Sequence, residues 1–466
     1  MAWLRVAAVA GSKPRRLVLC LDGTWNSAYS LKRRSDGHAV FKPSNVLKVA
    51  RAVVPYDAAG DRQQIVLYHI GVGSLARYPG VSNRLLSVAD KVLGGGWGAG
   101  FEENVEEALE FLAHNHEPGD EVFVFGFSRG AATAQAVTRF LDWAGGLPLK
   151  HDSYYLPRLF HDYVSRRGAE PVAAARERID GERRSERRPL PPLDAFQPVD
   201  VVFLGVWDTV MALGARFRAR GAHTSGASRS FHVGEQPPRC VRHARQALAI
   251  DEVRYDFRPE IWRSAAGADQ TLEQRWFAGV HSNVGGGYVD DGLANLALRW
   301  MLKEAQARGL VVDPDFVARY AGYAQDRLYR SESFAYRCFD GVRLRVGRGR
   351  RSLVSSPESA RFALDPSVIW RIQADPREEK PGRPGELRHP DLRQLYRPDN
   401  AVRFLASRPD VGAFLGSIGI DPPTLPPDVT RRVQKRHASQ GKRSGPLQRI
   451  GAAARRIFRQ GAAGRL

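Results

Sequence analysis

The sequence predicts an α/β fold, a mainly parallel sheet with helices on both faces. Short apolar runs alternate with amphipathic helical stretches over the first 310 residues. Strands that are apolar throughout are typical of a parallel sheet covered on both sides. One predicted strand leads into a serine between glycines, and two later ones end in an aspartate and a histidine.

The strands are predicted from short apolar runs, and the helices from apolar residues at helical spacing. The predicted strands are residues 15–21, 63–72, 121–127, 200–207 and 273–280. The predicted helices are residues 44–54, 101–114, 129–144 and 291–310. Active residues in such sheets lie on loops at the carboxyl ends of the strands. We therefore expect functional residues in the loops that follow these strands.

The domain organisation follows from changes in this pattern along the 466 residues. Residues 1–14 are expected to be an N-terminal extension, and 15–310 the main α/β domain. Within it, residues 150–199 are charged and then proline-rich, which indicates an exposed insertion. Residues 311–430 are predicted to be a C-terminal extension or cap, and 431–466 a basic tail.

The net charge of +20 favours contact with anionic surfaces. Residues 431–466 contain eleven Lys or Arg and no acid, so this tail carries more than half of the excess. As a helix, residues 447–466 would be basic and amphipathic, and peripheral contact with an anionic membrane is one expectation. A disordered, solubilising tail is the other. Nucleic acid is disfavoured because no stacking or recognition motif accompanies the charge.

The cysteine count and the N-terminus bear on the cellular compartment. Three cysteines resemble neither a disulfide framework nor a zinc site. The apolar stretch near the N-terminus is too short to span a bilayer and makes a poor signal peptide. We expect a cytoplasmic protein, with membrane association or export by a dedicated secretion system, without a cleavable signal peptide, as alternatives.

The segment from Gly126 to Gly130 fits the G-x-S-x-G pattern, with a predicted strand before it and a predicted helix after it. In that context Ser128 is a candidate nucleophile on a tight turn. The turn brings strand and helix together, so Gly126 and Gly130 must lack side chains. The helix N-terminus adds N–H donors, among which the Arg129 N–H is a predicted oxyanion donor. An ordinary glycine-rich turn is the alternative.

A serine nucleophile needs a base and a group that orients the base, and in this fold they follow the serine in the order acid, then histidine. Asp208 ends the strand at 200–207, and His281 follows the strand at 273–280. Both positions are at carboxyl ends of strands, so Asp208 and His281 are predicted to complete a triad with Ser128. The alternatives are that Asp208 is a turn or cap residue and that His281 is a structural histidine.

The stretch "LCLDGTWN" at residues 19–26 supplies the second predicted oxyanion donor, from the N–H of Gly23 or Thr24. The same stretch is close to the D-x-D-G-T motif of aspartyl-phosphate phosphatases. Here Cys20 replaces the nucleophilic aspartate, so that chemistry is disfavoured. Asp22 is then expected to bond N–H groups of its own turn.

Four segments, "LDGTWN", "GFSRGAA", "GVWDTV" and "WFAGVHSNVGGGY", resemble the bacterial α/β-hydrolase domain of unknown function found in type VI secretion phospholipase effectors of the lipase effector class 1 type. The resemblance covers roughly residues 15–400. It differs at Asn283 and at Asp365, where relatives often carry Asp and His.

The resemblance implies a serine ester hydrolase, plausible as a phospholipase or lipase, with Ser128 as nucleophile, Asp208 as acid and His281 as base. Its substrate would be an ester or a phospholipid, and it would need no metal and no organic cofactor. The alternative is a non-catalytic, hydrolase-like scaffold that binds an anionic partner or membrane through its basic tail.

Overall fold

The computed structural model describes the chain in ranges separated by gaps. These are residues 14–23, 31–33, 39–71, 99–165, 170–185, 193, 196–210, 234–254, 257–265, 267–329, 331, 351–353, 362–374, 395–408, 410–420 and 425–443. Thr24, the extension at 1–13 and the tail from residue 444 onward lie outside them.

Strands are numbered in chain order through the described ranges. They are β1 Arg16–Leu21, β2 Leu31–Arg33, β3 Ala39–Phe41, β4 Gln64–His69, β5 Glu121–Phe127, β6 Asp200–Trp207, β7 Val241–Ala249, β8 Thr271–Phe277 and β9 Phe362–Leu364. Seven of them form one sheet in the order β4-β1-β5-β6-β7-β8-β9. Every neighbouring pair in that sheet is parallel. Strands β2 and β3 form a separate antiparallel pair.

Helices are numbered in the same way. They are α1 Asn45–Ala52, α2 Ala99–Asn115, α3 Arg129–Ala144, α4 Leu156–Ser165, α5 Val172–Ser185, α6 His281–Gly285, α7 Gly292–Gln306, α8 Pro314–Ala318, α9 Pro366–Gln373, α10 Asp399–Ala406, α11 Val411–Ser417 and α12 Pro427–Arg443. A short 3-10 helix, Lys150–Tyr155, precedes α4.

Each buried strand contributes side chains to two apolar cores, because successive side chains point to opposite faces of a sheet. In β1, Leu17 and Leu19 join one core, and Val18 and Cys20 join the other. The first core is closed by apolar residues of α2, α3 and α4, and the second by residues of α1 and α7. The predicted α/β fold, a parallel sheet with helices on both faces, is confirmed.

The strand order reverses at β1. The chain moves from β1 to β4 on one side and then returns to β5 on the other side of β1. Ligands of open α/β sheets bind where the strand order reverses in this way. The residues that follow β1 and β5 are Asp22 and Ser128, so both lie at this position.

Strand β7 was not among the predicted strands. It is buried over most of its length but carries Arg242, His243, Arg245 and Gln246, which interrupt any apolar run. The polar groups are compensated: Arg245 Nε bonds Glu304 Oε2 at 2.7 Å, and Gln246 Nε2 bonds the Glu260 carbonyl at 2.7 Å. Pairing of this kind is what makes a charged side chain tolerable inside a sheet.

The segment expected to be an exposed insertion contains ordered helices. Helix α4 buries Leu159 and Phe160, and α5 buries Ile179, all within the core that α2 and α3 close. The charges that suggested exposure lie on the outer faces, for example Arg158, which bonds Glu182 Oε1 at 2.6 Å. Helices α4 and α5 therefore differ from the expected exposed insertion, because apolar residues at helical spacing lie between the charges.

The chain divides into two compact units. The first comprises residues 1–349 and 356–364, and the second 350–355 and 365–466. Residues just after position 310 belong to the first unit, where Val312 is buried in the core beneath α1 and α7. Within the described ranges, no helix has both the length and the apolar character needed to cross a bilayer.

Candidate active site

Ser128 occupies a strained turn between β5 and α3. Its backbone has φ 58° and ψ −120°, and only one other non-glycine residue of the described ranges, Asp208 with φ 44°, has a positive φ. Residues held in such sparsely populated conformations concentrate at functional sites. Hydrogen bonds fix the turn, since the Ser128 N–H donates to the Trp207 carbonyl at 3.0 Å.

The two glycines of the turn are required by close backbone contacts. A Cβ on Gly126 would lie 2.5 Å from the carbonyl oxygen of Gly130. A Cβ on Gly130 would overlap the carbonyl oxygen of Leu21 and lie 2.5 Å from that of Asp22. The turn at Ser128 is therefore wedged against the end of β1.

Asp208 and His281 form a buried hydrogen-bonded pair. Asp208 Oδ2 lies 2.6 Å from His281 Nδ1, and the Asp208 side chain is completely buried. The second carboxylate oxygen accepts the Ala249 N–H at 3.1 Å. An ionised carboxylate is acceptor-only, so this pairing fixes the proton of the imidazole on Nδ1 and leaves Nε2 as the acceptor.

The imidazole of His281 lies against the residue that precedes Ser128. Its ring centroid is 4.7 Å from that of Phe127, and Phe257 packs edge-on against it at 5.0 Å. A Cβ on Gly285 would overlap the ring of Phe127. Gly285, the last residue of α6, thus allows the close approach of α6 and the end of β5.

The loop after β7 holds the loop that carries His281. Asp251 exchanges two bonds with Gly279: its N–H donates to the Gly279 carbonyl at 3.0 Å, and its Oδ2 accepts the Gly279 N–H at 2.8 Å. Glu252 Oε2 accepts the His281 N–H at 3.3 Å. These two acids fix the backbone on both sides of Val280.

Glu252 also fixes Arg254 beside the imidazole. The Arg254 guanidinium makes two bonds of 2.8 Å to the buried Glu252 carboxylate. Its central carbon lies 3.4 Å from the ring centroid of Phe257, the ring that packs on His281. The sequence pattern did not single out Asp251, Glu252, Arg254 and Phe257, and the available signal would have been acids that follow a strand at 241–249.

The predicted oxyanion donors are placed as follows. The Gly23 N–H donates to Asp22 Oδ1 at 2.7 Å, so it is engaged within its own turn, and Thr24 lies outside the described residues. The Arg129 N–H is at the first position of α3. Burial lowers the pKa of the Arg129 side chain to about 10, still above neutral pH, so a cation follows Ser128 directly.

Asp22 and Cys20 do not form a phosphatase site. Asp22 Oδ2 accepts hydrogen bonds from the Ser44 hydroxyl at 2.5 Å and the Tyr68 hydroxyl at 2.7 Å. Cys20 is buried in the core, where burial raises the pKa of its thiol. The carboxylate therefore ties β1 to α1 and β4.

The two positions that differ from the resembled family have local structural partners. Asn283 donates to the Arg327 carbonyl at 3.1 Å and accepts the Tyr329 N–H at 3.2 Å. Asp365 caps α9 by accepting the Ser367 N–H at 3.0 Å. Neither residue contacts the Asp208–His281 pair through these bonds.

Known proteins resemble this chain to different extents. An uncharacterized protein of Saccharomyces cerevisiae, YEL023C, is 29% identical over 137 residues, which is 29% of this chain and 18% of that protein. An uncharacterized protein from Pseudomonas aeruginosa, known from a crystal structure, is 16% identical with a TM-score of 0.36, over 93% of this chain and 63% of its own. The chain thus spans less than a fifth of the yeast protein and less than two thirds of the Pseudomonas aeruginosa protein.

A further solved structure is the Tle1 effector bound to the VgrG spike from the type 6 secretion system. It is 15% identical, with a TM-score of 0.36, over 75% of this chain and 84% of that one. A TM-score of 0.36 does not establish a shared fold, so the fold assignment rests on the strand order above.

The family assignment rests on more than half of the chain. Residues 15–304 match the model of a family described as "T6SS, Phospholipase effector Tle1-like, catalytic domain". The match includes β1 to β8, the turn at Ser128 and the Asp208–His281 pair. This chain belongs to the family of Tle1-like catalytic domains of type VI secretion phospholipase effectors.

Proposed function

We propose that this chain is a serine hydrolase that cleaves carboxylic esters of phospholipids, with Ser128 as nucleophile, His281 as base and Asp208 as its orienting acid. The observation that carries the proposal is the buried 2.6 Å bond between Asp208 and His281. The imidazole of that pair packs on Phe127, next to the strained turn of Ser128. A strained serine beside a buried Asp–His pair has the parts of an acyl-transfer site.

In the first half of the reaction, Ser128 Oγ attacks the ester carbonyl carbon and passes its proton to His281 Nε2. The resulting imidazolium is stabilised by the Asp208 carboxylate, which stays ionised. The negative charge on the former carbonyl oxygen is received by N–H donors at the start of α3, with the Arg129 N–H as the first. The tetrahedral intermediate collapses, and the leaving alkoxide takes the proton from His281.

In the second half, water attacks the acyl-serine ester. His281 Nε2 accepts a proton from the water, and the second tetrahedral intermediate collapses to a free fatty acid and Ser128. The oxygen of Ser128 recovers the proton from His281. Bonds broken and formed balance with one ester and one water as reactants and one alcohol and one acid as products.

The phospholipid substrate and the route of export are proposed from the family. Its description names phospholipase effectors of the type VI secretion system. Such an effector would be exported by that apparatus, for which the Tle1 structure with the VgrG spike offers a comparison. The Thr24 N–H, a donor that the sequence predicts, is proposed as the second oxyanion donor.

The proposal is tested by covalent labelling of the full chain with a fluorophosphonate. We expect labelling of the wild-type protein and its loss in Ser128→Ala, with Ser264→Ala as the control because Ser264 lies on the loop before β8. Phospholipid vesicles then report release of fatty acid. If labelling persists in Ser128→Ala, or if the unlabelled wild-type protein releases no fatty acid from any ester, the hydrolase proposal fails and the scaffold alternative is favoured.

A further inference from the structure

Three guanidinium groups surround one carboxylate in the second unit. Asp399, in the first turn of α10, accepts bonds from Arg403 at 2.7 Å, Arg432 at 2.8 Å and Arg436 at 2.9 Å. The three cationic side chains stay between 37% and 60% exposed. One carboxylate balances only one of three positive charges, so the cluster keeps a positive excess at the surface.

The register of α12 extends this cluster along one side of the helix. Val429 and Val433 are buried one turn apart. Arg431 and Lys435 are exposed one turn apart. At 3.6 residues per turn, the cations at positions 431, 432, 435 and 436 fall within one side of the helix, and the uncharged Gln434 falls outside it.

Two exposed apolar side chains lie close in sequence to residues that connect α12 to α9. Arg397 joins α12 to α9, since its Nε bonds Asp428 Oδ2 at 2.9 Å and its Nη1 donates to the Ile372 carbonyl at 2.6 Å. Trp370 lies two residues before Ile372 and is 49% exposed, and Leu395 lies two residues before Arg397 and is 45% exposed. They are two of the four large hydrophobic residues found exposed among the described residues.

We propose that this arginine-rich face binds the anionic surface of a phospholipid bilayer. The face is defined by Arg397, Arg403, Arg431, Arg432, Lys435, Arg436, Trp370 and Leu395. The inference rests on the proposed function for its purpose, because a bilayer is where a phospholipase meets its substrate. It adds the binding surface and the charge of the lipid, neither of which the triad specifies.

The chemistry of the face fits a lipid headgroup layer. Guanidinium groups make paired hydrogen bonds to phosphate oxygens. Tryptophan is enriched at the membrane–water interface, where its ring is apolar and its N–H is solvated. Nucleic acid would also attract the arginines, but single-strand binding uses successive aromatic residues for base stacking, and this face has one. The combination favours the bilayer.

Binding is measured with the full chain carrying Ser128→Ala, so that no lipid is hydrolysed during sedimentation with vesicles. We expect binding to vesicles that contain phosphatidylglycerol and much weaker binding to vesicles of phosphatidylcholine alone. Binding to the anionic vesicles should fall as salt rises, since exposed charges are screened. Equal binding to both kinds of vesicle at every salt concentration would overturn the proposal.

Two matched double variants locate the surface. Each basic residue near an anionic leaflet raises partitioning roughly fivefold, so Arg431→Gln with Lys435→Gln should weaken binding about 25-fold. The control is Arg299→Gln with Lys303→Gln, an exposed Arg–Lys pair of the same spacing on α7. An unchanged affinity in the first pair, or an equal loss in the control pair, would contradict the proposal.

Trp370→Ala tests the apolar part without changing the charge. We expect partitioning to fall roughly tenfold, as a large apolar side chain loses its burial, with the salt dependence retained. Parallel titration with duplex DNA tests the nucleic-acid alternative. Binding to DNA without binding to vesicles would overturn the proposal. The vesicle assay uses inactive protein, so a lack of membrane binding would not affect the labelling test of Ser128. A lack of labelling would likewise not affect the vesicle assay.

Discussion

Two aspartates of the sheet occupy equivalent positions and have different partners. Asp22 follows β1 directly and Asp208 follows β6 directly, and both side chains are buried. Asp22 accepts hydrogen bonds from two hydroxyl groups and one N–H. Asp208 accepts one N–H and the imidazole of His281.

The difference shows that the position of an acid at a strand end does not decide its role. These three donors to Asp22 are neutral groups, and their bonds to the carboxylate join β1, α1 and β4 and so stabilise the fold. The donor to Asp208 is a titratable base, so its carboxylate can stabilise a positive charge that appears during a reaction. The partner of the carboxylate separates a structural acid from a candidate catalytic one.

The largest expected effect is the loss of turnover in the Asp208→Asn variant. The amide can still accept the Ala249 N–H, but it no longer stabilises an imidazolium, and kcat should fall on the order of 10⁴-fold. Asp22→Asn should leave kcat within about tenfold of wild type and lower the free energy of unfolding by about 1–3 kcal/mol. Steady-state ester hydrolysis and urea unfolding measure both, and comparable losses of kcat would erase the distinction.

The next effect concerns Gly130, where the turn at Ser128 contacts the end of β1. The carbonyls of Leu21 and Asp22 occupy the space that a Cβ would need. Both obstacles are backbone atoms, so we expect Gly130→Ala to lower the free energy of unfolding by roughly 2–4 kcal/mol.

Gly181→Ala is the control for Gly130→Ala. Gly181 is inside α5, with nothing within 4 Å of an added Cβ, so alanine there should stabilise by up to about 1 kcal/mol. If urea unfolding shows Gly130→Ala to be as stable as Gly181→Ala, the close packing of the turn is disproved.

A smaller effect is expected for Glu252→Gln. The glutamine keeps the size of the side chain but weakens its hold on Arg254 and on the His281 N–H, so kcat should fall about tenfold with KM little changed. Glu273→Gln is the matched control, since Glu273 also pairs with an arginine two residues on, Arg275, at 2.6 Å. An equal effect of both variants on kcat would show that Glu252 does not position His281.

The smallest effect is expected for Tyr68→Phe. It removes one of the donors to Asp22 and leaves the ring in place, so the free energy of unfolding should fall by about 1 kcal/mol. We expect kcat to stay within about twofold of wild type. A hundredfold loss of kcat would give Asp22 a role in the reaction and so remove the contrast with Asp208.

The sequence predicted the parts of the molecule that depend on local pattern. Strands β5 and β6 are apolar after their first residue, so their carboxyl ends could be located, and with them the turn at Ser128 and the position of Asp208. Strand β7 could not be found in this way, because Arg245 and Gln246 are paired with residues far away in sequence.

The surroundings of His281 escaped prediction for the same reason. Its position at the end of β8 was visible as a local signal. The bonds of Asp251 and Glu252 to the backbone at Gly279 and His281 form only because β7 and β8 are neighbours. That pairing is a property of the sheet and not of either segment. The bond from the Gly23 N–H to Asp22 joins neighbouring residues, by contrast, and it was expected from the sequence.

Strand β9 has a practical consequence for any shortened form of this protein. It pairs with Gln274, Arg275 and Trp276 of β8, although it comes from residues 362–364, well beyond the family match that ends at residue 304. A chain cut at the end of that match would leave one side of β8 without its neighbour. Open strand edges pair with other chains, so we expect such a fragment to self-associate where the longer chain does not.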